Sequence, residues 1–228
     1  MLMDIVLIPG ALATPKFWHH QEAHWHGEKH IHYATGFLGQ SIPDIAEQLI
    51  ETLPKKFTLI GFSLGGYIAL ELMQRIPHQV DKLILINSAA KTLSEKGQIE
   101  RERSIELINN GKFDFLINLI FKNSVHDKNK HHELLPLLKS MALEVGAKRY
   151  LEQLTAMVNK PDHSDLLTTI ECPTLLIASK NDKVMPPERS EHMAENIKNS
   201  QLIYVENCGH MAPLEQPDRI NQILSEWV

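Results

Sequence analysis

The stretch Gly61-Phe62-Ser63-Leu64-Gly65 carries the residue with the clearest potential for chemistry, a serine between glycines. The apolar, β-prone run before it predicts a strand, and the run after it has the spacing of a buried helix. Ser63 therefore lies where a strand turns into a helix, as in the G-x-S-x-G turn that exposes a nucleophilic hydroxyl. Two alternatives stay open for the pentapeptide alone: a phosphate-binding loop, and a serine that only caps the helix.

The glycines near this serine have a steric purpose. Side chains at Gly61, Gly65 and Gly66 would collide with the neighbouring strand and helix as the backbone bends. The strained turn holds the hydroxyl of Ser63 above the sheet, at a helix N-terminus whose free N–H groups favour negative charge.

A serine becomes a nucleophile only beside a base that a third group orients. Asp182 follows the predicted strand 174–178, and His210 follows the predicted strand 201–205. Both therefore lie at the carboxyl edge of a parallel sheet, where catalytic groups gather. The other acids near Asp182 in the chain do not follow strand ends: Glu171 precedes its strand, and Asp162 and Asp165 fall in a helical region.

The elements that must position these residues alternate between strands and helices. Short apolar runs predict six parallel strands, at 5–8, 30–33, 57–60, 82–86, 174–178 and 201–205. Intervening helical patterns cover 43–53, 64–75, 187–197 and 218–227. This alternation predicts an α/β fold, with helices on both faces of a mostly parallel sheet.

One region lacks strands. Residues 91–165 predict only helices, at 94–109, 112–121, 131–143 and 147–158, each with one apolar face. We expect a helical cap inserted into an α/β core of residues 1–90 and 166–228, all within a single globular unit. The charges of the cap are of both signs and nearly balanced, so they give no strong reason to expect a highly anionic substrate.

Four motifs together resemble the α/β-hydrolase fold family along nearly the whole chain, most closely its compact bacterial serine esterases. They are "LIPGALATPKFW", "GFSLGGY", "ECPTLLIASKNDKVMPP" and "NCGHMAPLEQP". The resemblance implies that Ser63 is the nucleophile, His210 the general base and then acid, and Asp182 the acid that orients the histidine. The order serine, acid, histidine is the one this fold uses.

The resemblance also implies an oxyanion hole of two backbone N–H groups, those of Leu64 and Ala11, with Leu12 as the nearby alternative to Ala11. Two departures from the family pattern occur. Pro9-Gly10 replaces a common His-Gly, which removes a side chain that could brace the loop, and Ser179 replaces the glycine common before the acid.

A serine at the turn favours acyl-enzyme chemistry, so hydrolysis of carboxylic esters with small to medium apolar acyl or aryl groups is the leading hypothesis. The same triad would also serve a thioesterase, an enol-lactone hydrolase, a carbon–carbon bond hydrolase or an acyltransferase. A hydrolase-like receptor that captures a small molecule is an alternative of a different class. No cofactor is expected.

Charge and composition bear on partners and location. A net charge of −5 offers no footprint for nucleic acid or anionic membranes, and neither partner is expected. No apolar run approaches the ~20 residues that cross a bilayer. Two cysteines and an N-terminus without a basic segment favour a cytoplasmic protein. The sequence leaves the oligomeric state open.

Two further features invite a chemical interpretation. His20 and His24 have the i,i+4 spacing of metal ligands on a helix, but no companion motif accompanies them, and we expect no metal site. Cys208 lies close to His210 in sequence and is expected to be a buried, inert thiol, because Ser63 already occupies the nucleophile turn.

Overall fold

A computed structural model describes residues 3–36, 39–127 and 130–228. Six strands of this part of the chain form one sheet: β1 (Asp4–Ile8), β2 (His30–Tyr33), β3 (Phe57–Phe62), β4 (Val80–Ile86), β5 (Thr174–Ser179) and β6 (Ser200–Val205). Their order across the sheet is β2-β1-β3-β4-β5-β6, and every neighbouring pair runs parallel. The prediction of six parallel strands is confirmed, with no strand end displaced by more than two residues.

The central strands are apolar throughout because both faces of the sheet are covered. Every residue of β3 and of β5 is buried, whereas the edge strands β2 and β6 are partly exposed. Strands buried on both faces lose the alternation of apolar and polar residues, which explains why they read as continuous apolar runs in the sequence.

The described helices are α1 (His19–His24), α2 (Ile42–Ile50), α3 (Leu64–Arg75), α4 (Glu95–Asn109), α5 (Phe113–Ser124), α6 (His131–Val158), α7 (Ser164–Leu167), α8 (Glu188–Asn196), α9 (Ala212–Glu215) and α10 (Pro217–Ser225), with 3-10 turns at Pro15–Trp18 and Pro77–Gln79. The longer predicted helices are present. The short helices α1, α7 and α9 were not predicted, because four to six residues are too few to display a helical period.

The segment between β4 and β5 is helical, as predicted, and α4, α5 and α6 pack on one another. The two helices predicted at 131–143 and 147–158 form the single element α6, which is kinked at Gly146 (φ 80°, ψ 159°). A left-handed φ is accessible to glycine at little cost, so this residue permits the kink. The division into a core and a cap at residues 91 and 165 stays a prediction.

A buried polar contact joins the end of this helical segment to the sheet-packed helix α3. Nε2 of His163 lies 2.9 Å from Oε2 of Glu71. The other oxygen of Glu71 accepts a hydrogen bond from Nε of Arg75 at 2.8 Å. A buried carboxylate needs such partners, so the contact fixes where residue 163 meets α3. Among the described residues, no helix combines the length and the apolar character needed to cross a membrane.

Candidate active site

Ser63 occupies a strained turn between β3 and α3. Its backbone has φ 51° and ψ −114°, a conformation that costs a residue with a side chain of the order of 1–3 kcal/mol. A Cβ placed on Gly65 would lie 2.1 Å from the carbonyl oxygen of Ile8 in β1, and one on Gly61 would lie 2.6 Å from the carbonyl oxygen of Gly65. These distances confirm the steric explanation for the glycines.

Hydrogen bonds from β4 and the residues that follow it hold the turn in place. The N–H of Ser63 donates to the carbonyl of Ile86 at 3.0 Å, and the hydroxyl of Ser88 donates to the carbonyl of Ser63 at 2.8 Å. The backbone N–H and C=O of Ser63 therefore both have hydrogen-bond partners. These partners stabilise the strained turn, and they lie outside the G-x-S-x-G motif.

The structure brings the three predicted side chains into one chain of hydrogen bonds. Nε2 of His210 lies 3.0 Å from Oγ of Ser63, and Nδ1 of His210 lies 2.7 Å from Oδ2 of Asp182. Because a carboxylate only accepts, the short contact makes Nδ1 the donor and leaves Nε2 free to accept the hydroxyl proton. This is the geometry that a serine nucleophile with an oriented base requires.

Asp182 is held by its second oxygen. Oδ1 accepts the backbone N–H groups of Val184 and Met185, each at 2.8 Å, and the side chain is fully buried. The amides satisfy one oxygen and fix the carboxylate plane, so the other oxygen faces the imidazole. The loop after β5 thus positions the acid, as its place at the strand end predicts.

The loop that carries His210 is braced by a buried glutamate that the sequence analysis did not single out. Glu215 accepts the N–H groups of Gly209 and Met211, which flank the histidine, and that of His126 from the segment after α5. Burial raises the pKa of the Glu215 carboxyl, and these three N–H donors oppose that shift. The residue lies within the "NCGHMAPLEQP" motif, but the motif alone assigns it no contact.

Asn87 was missed as well. This residue follows β4 and has a left-handed φ of 46°. Its Nδ2 donates to the hydroxyl of Ser179 at 2.9 Å and to the carbonyl of His210 at 2.8 Å. Its Oδ1 accepts a hydrogen bond from the N–H of Ser179. It ties the end of β4 to the strand before Asp182 and to the loop of the histidine. Its place at the carboxyl end of a strand is the signal that could have found it. Ser179, a departure from the family pattern, is used here as a partner.

The two predicted oxyanion donors belong to residues close to Ser63, because Leu64 follows it directly and a Cβ placed on Gly10, next to Ala11, would lie 3.3 Å from Cβ of Ser63. Leu64 is the first residue of α3, and such an N–H has no partner within its helix. Ala11 lines the same cavity as Ser63. The N–H of Leu12, the alternative to Ala11, donates instead to Oε1 of Gln153 in α6 at 3.1 Å, so it is already used.

A cavity of about 650 Å³ opens over Ser63 and His210. The helical segment supplies much of its apolar lining, namely Leu107, Leu116, Leu119, Ile120, Phe121 and Met157. The volume is within the range of pockets that hold small organic molecules.

The structure also gives the surroundings of His24 and Cys208, the two other residues considered for metal binding or nucleophilic chemistry. Nε2 of His24 lies 2.7 Å from the hydroxyl of Ser225, and within the described ranges no group of three or more His, Cys, Asp or Glu side chains is arranged to hold a metal ion. Burial, reinforced by the charge of Glu215, raises the pKa of the Cys208 thiol to about 12. A thiol with that pKa is neutral at physiological pH and is a poor nucleophile.

Comparison with known proteins identifies the family. A model of the alpha/beta hydrolase family matches residues 5–223. The chain belongs to the alpha/beta hydrolase family. An esterase of this fold from Thermogutta terrifontis, solved with malate bound, superposes with a TM-score of 0.88 at 25% identity, covering 99% of this chain and 89% of that one.

Two of the curated relatives show the level of sequence similarity. The pimeloyl-(acyl-carrier protein) methyl ester esterase of Nitrosospira multiformis is 28% identical over 77% of this chain and 70% of its own length. A putative carbamate hydrolase of Agrobacterium fabrum is 27% identical over 98% of this chain and 92% of its own length. Together with the family match, these similarities identify the protein as an alpha/beta hydrolase.

Proposed function

We propose that this hydrolase cleaves carboxylic esters through an acyl-enzyme on Ser63. The observation that carries the proposal is the continuous hydrogen-bond chain from Ser63 through His210 to the buried Asp182. In this arrangement the imidazole can take the hydroxyl proton while the carboxylate stabilises the resulting imidazolium.

The reaction would proceed in two halves. Oγ of Ser63 attacks the ester carbonyl as its proton moves to Nε2 of His210, and the N–H groups of Leu64 and Ala11 hold the oxyanion. Collapse of this intermediate expels the alcohol, which takes the proton from His210. A water molecule that loses its proton to His210 then attacks the acyl-enzyme, the acid is released, and Ser63 regains its proton.

The proposed substrates are small to medium esters with apolar acyl or aryl parts. The apolar lining of the cavity supports this class, because it would desolvate such a group beside Ser63. Two of the similar proteins are named as esterases, which supports the same reaction class.

Related reactions on the same residues are the alternatives. The relative named as a putative carbamate hydrolase is matched over 98% of this chain, and a carbamate carbonyl could be attacked by the same serine. Thioester, enol-lactone and carbon–carbon bond cleavage use the same triad. A receptor built on this scaffold would bind ligand and release product very slowly.

The test is turnover of p-nitrophenyl esters of increasing acyl length by the wild type, Ser63→Ala and the control Ser225→Ala. We expect Ser63→Ala to lose at least ~10³-fold in kcat and Ser225→Ala to match the wild type. A fluorophosphonate should react with Oγ of Ser63 with loss of HF, so that the wild type gains the mass of the reagent minus HF and Ser63→Ala gains nothing. Equal turnover by Ser63→Ala, or no turnover of any ester by the wild type, would overturn the proposal.

A further inference from the structure

Charged side chains are distributed unevenly around the cavity. Its lining contains one carboxylate, Glu100, and six cations: Lys91, Lys96, Arg101, Arg103, Lys183 and Arg189. The whole chain, by contrast, has a net charge of −5. The lining of the cavity that contains Ser63 is therefore strongly positive, although the charges of the helical segment as a whole are nearly balanced.

Two of these cations differ from the others because they are half-buried. Arg101 lies on α4 and Arg189 on α8, so the two approach the cavity from different parts of the fold. Among the described residues, the one ion pair made by the lining cations joins Lys96 to Glu100 at 4.0 Å, and neither arginine has a carboxylate partner. An arginine that is partly withdrawn from water without a carboxylate has unused N–H donors.

Tyr67, both arginines and Ser63 line the same cavity. Tyr67 lies on α3, four residues after Ser63. Burial raises the pKa of its phenol to about 12, and the positive charges of Arg101 and Arg189 oppose that rise. Both guanidinium groups therefore lie close enough to this phenol for their charges to be felt at the cavity that contains Ser63.

We propose that Arg101 and Arg189 form an anion subsite, so that the substrate is an ester carrying a carboxylate or a phosphate away from the scissile bond. Planar guanidinium groups suit both anions, because each pairs two donors with two oxygens. The apolar residues of the cavity would contact the chain between the anion and the ester. This inference rests on the proposed ester hydrolysis and narrows its substrate class.

The test compares esters that differ in charge at constant length. Monomethyl and dimethyl succinate, adipate and suberate give three such pairs. We expect the wild type to show at least roughly tenfold higher kcat/KM for the monoester at one length or more, and this preference to shrink as salt is added. Arg101→Gln and Arg189→Gln should each lower kcat/KM for the monoester at least about fivefold more than for the diester, mainly through KM.

Arg219→Gln serves as the matched control, because this exposed arginine on α10 is outside the cavity and bonds to Gln222. This variant should have the wild-type kcat/KM for both the monoester and the diester. Arg101→Lys should recover part of the preference, since it keeps the charge and loses the planar fork.

Calorimetric titration with adipate and with inorganic phosphate tests the subsite without turnover and distinguishes a carboxylate from a phosphate ligand. We expect one of the two anions to bind the wild type and to bind Arg101→Gln and Arg189→Gln at least roughly tenfold more weakly. Equal hydrolysis of monoester and diester together with no binding of either anion would overturn the subsite and leave ester hydrolysis standing. Anion binding without hydrolysis of any ester would support the subsite and overturn the proposed reaction.

Discussion

Oε1 of Gln153 lies 3.1 Å from the backbone nitrogen of Leu12, although 141 residues separate the two in the chain. Leu12 is buried and has a left-handed φ of 60°, a conformation that is costly for a residue with a Cβ. The contact supplies that backbone with a partner and joins α6 to the loop that carries Ala11. The helical segment between β4 and β5 therefore helps to shape the loop that we assign to the oxyanion hole.

Gln153→Met tests this connection at nearly constant volume. The variant leaves the buried N–H of Leu12 without an acceptor, which costs about 1–3 kcal/mol of stability. We expect kcat for a p-nitrophenyl ester to fall about tenfold, because the loop relaxes. Gln153→Glu, which keeps an acceptor, should retain more of the rate. If Gln153→Met has the kcat of the wild type, the contact does not position the oxyanion loop.

Asp182→Asn should lower kcat by about 10⁴-fold, the loss that the same exchange of aspartate for asparagine causes in a serine protease triad. The amide oxygen would accept the N–H groups of Val184 and Met185, so the amide nitrogen would face His210. Nδ1 of His210 must then accept, and its Nε2 carries a proton and cannot take one from Ser63. Asp165→Asn, at an exposed acid of α7, should keep the normal rate. A nearly normal rate in Asp182→Asn would contradict the assignment of the acid.

Glu215→Ala should reduce both stability and activity. It removes the acceptor of three N–H groups, of which those of Gly209 and Met211 are buried and cost about 1–3 kcal/mol each without a partner. We expect a loss of at least ~2 kcal/mol in urea unfolding and a lower kcat, because the loop of His210 loses its brace. Glu226→Ala, at an exposed position near the C-terminus, is the control and should change neither quantity. An unchanged unfolding midpoint in Glu215→Ala would show that the brace is dispensable.

Lys160 predicts a dependence of stability on pH. Its ammonium donates to the carbonyl of Lys91 and lies 4.1 Å from the ring centroid of Tyr67. The pKa of Lys160 is lowered from 10.5 to about 8, chiefly by burial; the charge of Asp162 opposes the shift and that of Arg189 adds to it. Between these two values the unfolded chain holds a proton that the folded protein has lost, so this group makes the free energy of unfolding rise with pH.

The comparison of wild type with Lys160→Met isolates that contribution from the other titrating groups. Between about pH 7 and pH 10 the stability of the wild type should rise relative to the variant by about 2 kcal/mol in urea unfolding. A constant difference between the two proteins over this range would mean that Lys160 keeps its proton in the folded state.

The sequence by itself determined the sheet and the turn that carries Ser63. Continuous apolar runs marked the strands buried on both faces, and the glycines marked a bend that tolerates no side chain, as the 2.6 Å from a Cβ on Gly61 to the carbonyl oxygen of Gly65 demonstrates. It also placed Asp182 and His210 at strand ends, because parallel strands bring their carboxyl ends to one edge. These features depend on periodicity and sterics within a few residues of each other.

Only the tertiary structure decided how the site is supported and charged. The contacts of Gln153 with Leu12, of Asn87 with the loop of His210, and of Glu215 with His126 join residues that are distant in the chain. The collection of six cations around the cavity likewise depends on how α4, α8 and the segments that follow β4 and β5 are placed around it. Side chains that meet across the fold leave no periodic or local signature, because their partners are fixed by packing and not by sequence spacing.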